Sequence, residues 1–549
     1  MKIERILIED QMAPIGLDEK KPAFSWLLTA EEGEQNLMQS ACRIVVRTGE
    51  DTVWDSGKME TGVSTGIGYE GEALQPCTKY EVKAEVWDNH GGKAEAESSF
   101  ETGLMDSLYA AWEGAEWIGA PHATVCAENR GVFTIESEFW MEGGKGEAGI
   151  VFGANDFRLN DHTKNELGME GENYIRYAVC LEDGDARLEI YRVGYAPEDT
   201  AEKPFAVTKL VNWKEKTQEI HAERDVFAFV HNIARTDLLT VEVDGNVAYA
   251  YVDGILVDAI EEHGFFGTKV SGRQLNPRGN NDVLPYPRLN EIGFYAGKGT
   301  TGYFKNLTVR NVRKPSAEII RETPEGRLDG GKSIFADQIP VENGYFKVED
   351  SQITADPSHH SIPMLRSCIS CQKEKKLASA RLYITARGIY DCRINGQEIT
   401  KDLLRPGLTQ YDHRMNYQTY DITGLMKPGR NGIGVTLASG WWSEAQTFVV
   451  KNFNYFGDKE SLLAKVVMKY EDGSREVFGT NTEDWKYFGE GPYLFSSYFA
   501  GEQYDARRAE VYETYSLPEF DDSTWEKPVV VDTVMIEEFC TMPGFGRSW

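Results

Sequence analysis

Across 549 residues, no run longer than about 12 residues carries the i, i+3, i+4 apolar spacing with which a helix buries one face. Short runs that alternate inward and outward side chains occupy the chain instead, and that two-residue period belongs to β-strands. The clearest example spans residues 378–443. Residues 381–385 and 390–394 alternate on either side of Gly388, and Asn395-Gly396 follows with the positive φ that a tight turn requires. The spacing predicts a hairpin from these two runs. It predicts a second from residues 418–422 and 433–437, joined through the turn-rich segment 427–432. An all-β chain is expected.

Length then demands several cores, because single cores stop growing near about 250–300 residues. Residues 1–105 hold short strands at 24–28, 41–46 and 78–88 with turn signals at Asp55-Ser56-Gly57 and Asn89-His90-Gly91-Gly92, the pattern of a fibronectin type III-like sandwich. Trp54 and Trp87 are expected in its core. Residues 122–315 form a second all-β unit, with Asp244-Gly245-Asn246 and Asp253-Gly254 as hairpin turns, and a concanavalin-like jelly roll is its natural architecture. Residues 316–355 read as a connecting segment, 356–515 as a galactose-binding-like β-sandwich, and 516–549 as a tail.

A surplus of 88 acidic over 58 basic residues gives a net charge of −30, spread along the chain. Such a surface repels phosphate backbones and anionic lipid, so nucleic acid and membranes are not expected partners. The start, MKIERILIED, alternates isoleucine with charge and lacks an apolar leader run, so cytoplasmic residence is expected, or secretion to the periplasm or beyond if a leader has been removed. The 8 cysteines are dispersed through predicted strands and read as buried thiols. Cys368 and Cys371 form the one CxxC, without the second pair that zinc would need.

Several pieces of the third unit act together: Ala380-Arg381-Leu382-Tyr383, Gly388-Ile389-Tyr390, Ile394-Asn395-Gly396, Leu404-Arg405-Pro406-Gly407-Leu408-Thr409, Gly440-Trp441-Trp442 and the Gly501-Glu502-Gln503-Tyr504-Asp505-Ala506-Arg507 run. With the tail's Phe520-Asp521-Asp522-Ser523-Thr524-Trp525, this combination resembles the N-terminal β-sandwich domain of bacterial α-L-rhamnosidases, glycoside hydrolase family 78. The first unit is similar to that family's leading module through Pro22-Ala23-Phe24-Ser25-Trp26 and Trp54-Asp55-Ser56-Gly57. In the family Trp-Ile-Gly leads closely into the sandwich, whereas here Trp117-Ile118-Gly119 lies far upstream, so residues 122–355 look like an insertion. The insert resembles carbohydrate-binding module family 67, a calcium-using rhamnose binder, through Phe152-Gly153-Ala154-Asn155-Asp156-Phe157-Arg158-Leu159.

The resemblance implies a parent reaction of inverting hydrolysis, releasing terminal α-L-rhamnose from glycosides or polysaccharides. It places the catalytic carboxyls in a downstream (α/α)6 barrel. No helical repeat of that kind is visible in this sequence, so the chain is expected to lack the barrel, to take that missing domain as its partner, and to offer no assignable catalytic residue. Glu502 and Asp505 are the best local carboxylate pair, and a structural network with Arg507 is the expected use of them. For recognition, Asn155 and Asp156 follow a strand and supply the hard oxygens calcium favours, with Arg158 beside them; the plain alternative is a turn. Asp161, Asn165 and Asn173 are lesser candidates in the same loop. Trp441 and Trp442 offer either a sugar-stacking platform or a core pair. A stand-alone calcium-dependent carbohydrate-binding protein and a purely structural scaffold are the competing functions.

Overall fold

The computed structural model describes residues 1–30, 33–121, 132–155, 172–183, 185–195, 199–210, 236–244, 247–252, 255–260, 289–311, 314–328, 331–357, 361–444, 456–457, 459–497, 501–531 and 538–541. Strands dominate, and the longest helix among the described residues, Ala509–Thr514, has 6 residues. None of the described helices is long and apolar enough to cross a membrane.

The first unit packs a three-stranded sheet (Lys2–Ile8, Ala23–Thr29, Ile67–Gly68) against a four-stranded one (Asp51–Asp55, Gln39–Thr48, Lys79–Asp88, Lys93–Glu101). Alternation puts Ile44 and Val46 from one strand and Tyr80, Val82 and Val86 from its neighbour into one core with Phe24, Trp26 and Phe100. Trp54 packs at the edge of that core, stacked on Phe24. Trp87 differs from expectation: it is half-buried outside the cluster, under the ammonium groups of Lys58 and Lys93 at 4.9 and 5.3 Å. Its indole face takes two cations where a core site would take apolar neighbours.

The second unit is one hydrogen-bonded network of 14 strands among the described residues. Its centre is the 14-residue strand Glu291–Phe304, which pairs with Gly146–Ala154, Val132–Met141 and Tyr345–Ala355. The segment expected to be a connector therefore supplies strands: Ile292 faces Ala355 and Phe304 faces Phe346. Phe335, Phe346 and Val348 belong to the same buried core as Phe152, Phe294 and Phe304.

The third unit is a sandwich. Its five-stranded sheet runs Gln397–Glu398, Ile389–Ile394, Gly429–Ala438, Met364–Cys371, Lys486–Phe488, and its seven-stranded sheet contains Ser461–Tyr470, Leu377–Arg387 and Arg414–Asp421. Leu382 and Ile384 of one sheet meet Ile394, Val435 and Leu437 of the other. Both hairpins predicted around residues 378–443 are replaced by crossings between sheets. Leu377–Arg387 pairs with Ser461–Tyr470 and Arg414–Asp421, while Ile389–Ile394 pairs with Gly429–Ala438. Gly388, at φ 111°, is where the chain changes sheets, and a Cβ there would collide with the Ala438 carbonyl. The Asn395-Gly396 turn forms as expected, with φ of 50° and 81°, and joins Ile394 to Gln397.

Ile118–Gly119 hydrogen-bonds to Ser461 and Leu462 in this same sandwich. The chain thus enters the sandwich, leaves to build the second unit, and returns at Met364–Cys371. The first unit is joined to the sandwich by packed and polar contacts. Leu104, Trp112 and Trp117 share a buried cluster with Tyr383, Tyr417 and Trp442, and Arg381 donates to the Glu101 carboxylate at 2.9 Å.

Candidate functional site

The alternation that buries Tyr390, Cys392 and Ile394 turns Asp391 and Arg393 to the opposite face of their strand. There, the hairpin Tyr493–Ser497/Gly501–Tyr504 and the helix Ala509–Thr514 close over the sheet and leave a cavity of about 540 Å³. Asp391 lies in its wall with Arg405, Tyr493, Glu502 and Tyr512, and Leu403 and Leu404 form its mouth. Ligand pockets span about 300–1,000 Å³, so the volume admits a small organic molecule.

Asp391 is held from two sides. Arg405 Nη2 donates to Oδ1 at 3.1 Å and the Tyr512 hydroxyl to Oδ2 at 3.0 Å, with Arg393 Nε 3.7 Å from Oδ2. The Arg405 side chain is 5% exposed, and its guanidinium lies 5.0 Å from the centre of the Tyr390 ring. Burial, followed by the Asp391 charge, pushes the Tyr512 phenol far up, so it stays a donor to the carboxylate. Glu502 is the second carboxylate, accepting from Ser496 Oγ at 3.4 Å. Leu403 is 78% and Leu404 50% exposed at the rim. The cavity thus joins fixed acceptors to apolar walls. A carboxylate already accepting from a guanidinium and a phenol is held in one orientation, which suits recognition of a ligand's donors.

The residues singled out in the sequence fall elsewhere. Asn155 sits on an exposed turn at φ 51°, its Nδ2 donating to Glu291 Oε2 at 2.9 Å. Asp156, Arg158, Asp161 and Asn165 lie outside the described residues. Asn173 is buried and donates to the Gly153 carbonyl and the Tyr195 hydroxyl, so it braces the turn. Glu291 also accepts from Thr354 Oγ1 at 2.7 Å. Asn155 and Glu291 match calcium in donor type, and calcium takes six to eight oxygens; here the Asn155 amide nitrogen and Thr354 Oγ1 both donate to Glu291 Oε2. Trp442 is buried among Tyr411, Phe456 and the Arg387 guanidinium, while Trp441 is half-buried beside the same cluster.

Asp505 holds Arg507 through hydrogen bonds of 2.9 and 2.8 Å, which keep its pKa down at about 2, while Glu502 faces the cavity instead. In the second unit Glu147, Cys180 and Glu189 converge within 4.8 Å. Arg187 and the Tyr191 hydroxyl already engage Glu189, and burial pushes the Cys180 thiol far up, so the group reads as a charge network in a sheet face. Cys368 and Cys371 are free thiols. His359 and His360 lie outside the described residues.

Comparison with known proteins bears on both ends of the chain. Residues 375–540 match the α-L-rhamnosidase N-terminal domain, and residues 3–106 match the Rha78A-like N-terminal immunoglobulin domain. Over 530 residues the chain is 28% identical to an α-L-rhamnosidase of Streptomyces avermitilis, covering 94% of this chain and 44% of that one. An α-L-rhamnosidase of Formosa agariphila is 37% identical over 152 residues, 27% of this chain and 16% of that one. The crystal structure of the Streptomyces avermitilis α-L-rhamnosidase complexed with L-rhamnose shares the fold at a TM-score of 0.53 and 21% identity, covering 98% of this chain and 46% of that chain. The chain spans less than half the length of these relatives.

Proposed function

The chain carries the N-terminal modules of the α-L-rhamnosidase family, and from that premise we propose that it is the carbohydrate-recognition and scaffold part of an α-L-rhamnosidase-like glycoside hydrolase. The parent reaction on this reading is inverting hydrolysis of terminal α-L-rhamnose from a glycoside or polysaccharide. That reaction needs one carboxyl to protonate the leaving oxygen and another, about 6.5–9.5 Å away, to activate water. In the cavity Asp391 accepts from Arg405 and Tyr512 and Glu502 from Ser496, and the role proposed for the cavity is recognition. The observation that carries the reading is that a ligand-sized cavity lies almost entirely within the family-matched segment, with Asp391 prepositioned in its wall.

Calorimetric titration with L-rhamnose, run beside a chromogenic α-L-rhamnoside assay, tests this. Saturable heat without turnover is expected. Turnover that disappears in Asp391→Asn would make the cavity catalytic, and no heat even with excess calcium would reduce the chain to a scaffold. A second reading, recognition through the inserted unit with calcium at Asn155 and Asp156, is favoured by Glu291, which brings a second hard-oxygen side chain to Asn155. Chelator separates the two: binding at the cavity survives it, and binding at the turn does not.

A further inference from the structure

We propose that the sandwich cavity seats a hydroxylated aromatic ring, so that the ligand recognised there is an aryl glycoside and not a polysaccharide chain. This rests on the reading of the cavity as a recognition site and names the part of a ligand that the site holds. Charge does not choose the ligand. The carboxylates of Asp391 and Glu502 are matched by the guanidiniums of Arg405, 3.1 Å from Asp391, and Arg393, 3.7 Å from it. Selection therefore falls to apolar contact and to the number of hydrogen-bonding groups the wall can offer.

Few such groups are open. The Tyr390 hydroxyl is turned to Gln418 Oε1 at 2.7 Å, Thr436 Oγ1 meets the Tyr515 hydroxyl at 3.0 Å, and the Tyr512 hydroxyl donates to Asp391. Arg405 Nε and Nη1 have no partner, and both are buried from solvent. Among the lining side chains this leaves the Tyr493 hydroxyl, the Glu502 carboxylate and the second lone pairs of the Asp391 oxygens, whose side chain is 36% exposed. A pyranose brings several hydroxyls, and each one buried without a partner costs free energy. An aromatic ring with one hydroxyl needs one acceptor, and either carboxylate supplies it as a charge-assisted bond.

The rest of the wall is apolar. Ile362, Ile389, Leu437 and Ala438 line it, and Leu403 and Leu404 stand at the mouth. The hairpin adds an aromatic corner, where the Tyr493 ring meets Tyr504 at 4.9 Å and Tyr512 at 5.1 Å, both edge to face. A ligand ring set against Tyr493 extends this packing, which aromatic pairs adopt at centroid distances of about 4.5–7 Å. Leu404 sharpens the argument. It holds a left-handed φ of 59° that a leucine rarely adopts, yet it is half exposed, and strained residues of this kind cluster at ligand clamps.

The test is calorimetric titration of the whole chain with 4-hydroxyphenyl α-L-rhamnoside, methyl α-L-rhamnoside and the disaccharide rutinose, in which a second sugar ring takes the place of the aryl group. The aryl rhamnoside is expected to bind at least about tenfold more tightly than the other two, the effect of burying one apolar group the size of a side chain. Leu404→Gly suits the left-handed φ, so it removes the apolar side chain without straining the backbone. With Leu403→Ser it is expected to bring the aryl advantage within about twofold while methyl rhamnoside binds as before, a pattern that misfolding cannot produce. Ligand-observed NMR with 4-methylphenol, expected to compete with the aryl rhamnoside, completes the set. Equal binding of all three glycosides overturns the aryl assignment and leaves sugar recognition standing. An aryl preference untouched by both variants places the aromatic contact outside the cavity and also overturns it. If 4-methylphenol binds and no rhamnoside does, the aromatic site stands and the rhamnoside-recognition reading falls. If nothing binds, both fall.

Discussion

Tyr417 donates its phenolic hydrogen bond to Asp18, 2.5 Å away and 399 residues earlier in the chain. The same oxygen accepts from the Leu104 backbone at 2.9 Å. One buried hydroxyl therefore ties two segments of the first unit to the sandwich. Burial, followed by the Asp18 charge, holds the phenol well above its ordinary pKa, so the donor is present across the physiological range. Tyr417→Phe leaves Leu104 N–H and the carboxylate to find other partners. A loss of about 1–3 kcal/mol is expected in urea unfolding. Gly103→Ala attacks the same joint sterically, since its Cβ would collide with the Tyr417 hydroxyl and Asp18 Oδ1. It should lower the midpoint at least as much, and a midpoint unchanged in both variants would mean the joint is not stabilising.

A second tie, between the segment that follows the first unit and the sandwich, is electrostatic and should be visible in acid. Glu113 bonds to Arg475 at 2.9 and 2.5 Å and to Lys465 at 2.8 Å. The Arg475 hydrogen bond leads in depressing its pKa, from 4.5 to about 2. A depressed carboxylate contributes stability that is full above its unfolded pKa and fades as pH falls through the folded one. The contribution should therefore vanish between about pH 4.5 and 2. Glu113→Gln is expected to be less stable than the parent at pH 7 and to converge with it near pH 2 in thermal melts. Parallel curves across that window would rule the pair out as an acid-sensitive tie. Lys465 is 2% exposed, which is why losing its carboxylate partner should matter at neutral pH.

The sequence shows which faces of the strands are buried more readily than which strands are neighbours. Residues 390–394 alternate in the chain as they do in the fold, with Tyr390, Cys392 and Ile394 buried. In 381–385 Leu382 and Ile384 face the sandwich core, while Tyr383 on the other face is buried too, in the cluster shared with Leu104 and Trp112. Their pairing was not legible, because a period of two is the same whether a strand's neighbour is the next run or one that arrives much later, as Ser461–Tyr470 does. Segment 316–355 reads as a connector of mixed strand and loop, and what the sequence does not show is that its strand Tyr345–Ala355 pairs along the central strand of the second unit. The cavity shows the same division. Glu502 stands out in the sequence as half of a local carboxylate pair with Asp505, but Asp391 looks like any outward strand residue. Its significance comes from Arg405 and Tyr512, 14 and 121 residues away. Asn155 was visible as a turn residue, while its partner Glu291, 136 residues on, was not.

Trp442 separates the two uses weighed for the Trp441-Trp442 pair. Its ring lies 5.8 Å from Tyr411 and 6.3 Å from Phe456, and its side chain is buried with Trp117 and Tyr417 in the cluster joining the first unit to the sandwich. A buried tryptophan truncated to alanine costs about 3–5 kcal/mol through lost transfer energy and the cavity left behind. Trp442→Ala is therefore expected to lower the melting temperature sharply, while the protein that remains folded binds L-rhamnose as before. Rhamnose binding abolished in a variant of near-parental melting temperature would instead identify a stacking platform.

The tail beyond the sandwich depends on one buried cation. Arg366 is fully buried, donates to the Tyr515 and Leu517 carbonyls at 2.8 and 3.2 Å, and forms an ion pair with Asp522. Trp525 stacks on Phe488 at 4.8 Å alongside, so residues 515–525 fold back onto the five-stranded sheet. Removing one member of a buried ion pair costs about 3–5 kcal/mol, because the other charge stays desolvated without its partner. Asp522 is 26% exposed and water can partly replace it, so Asp522→Asn should fall at the low end, about 3 kcal/mol. Arg366→Lys keeps the charge but loses the planar fork that reaches two carbonyls and a carboxylate at once. It is expected to destabilise at least as much. Urea unfolding followed by tryptophan fluorescence reads both, since Trp525 leaves its stack as the tail detaches. Should Asp522→Asn shift stability by less than about 0.5 kcal/mol, the range of ordinary surface substitutions, the tail is held by the aromatic stack and not by the ion pair.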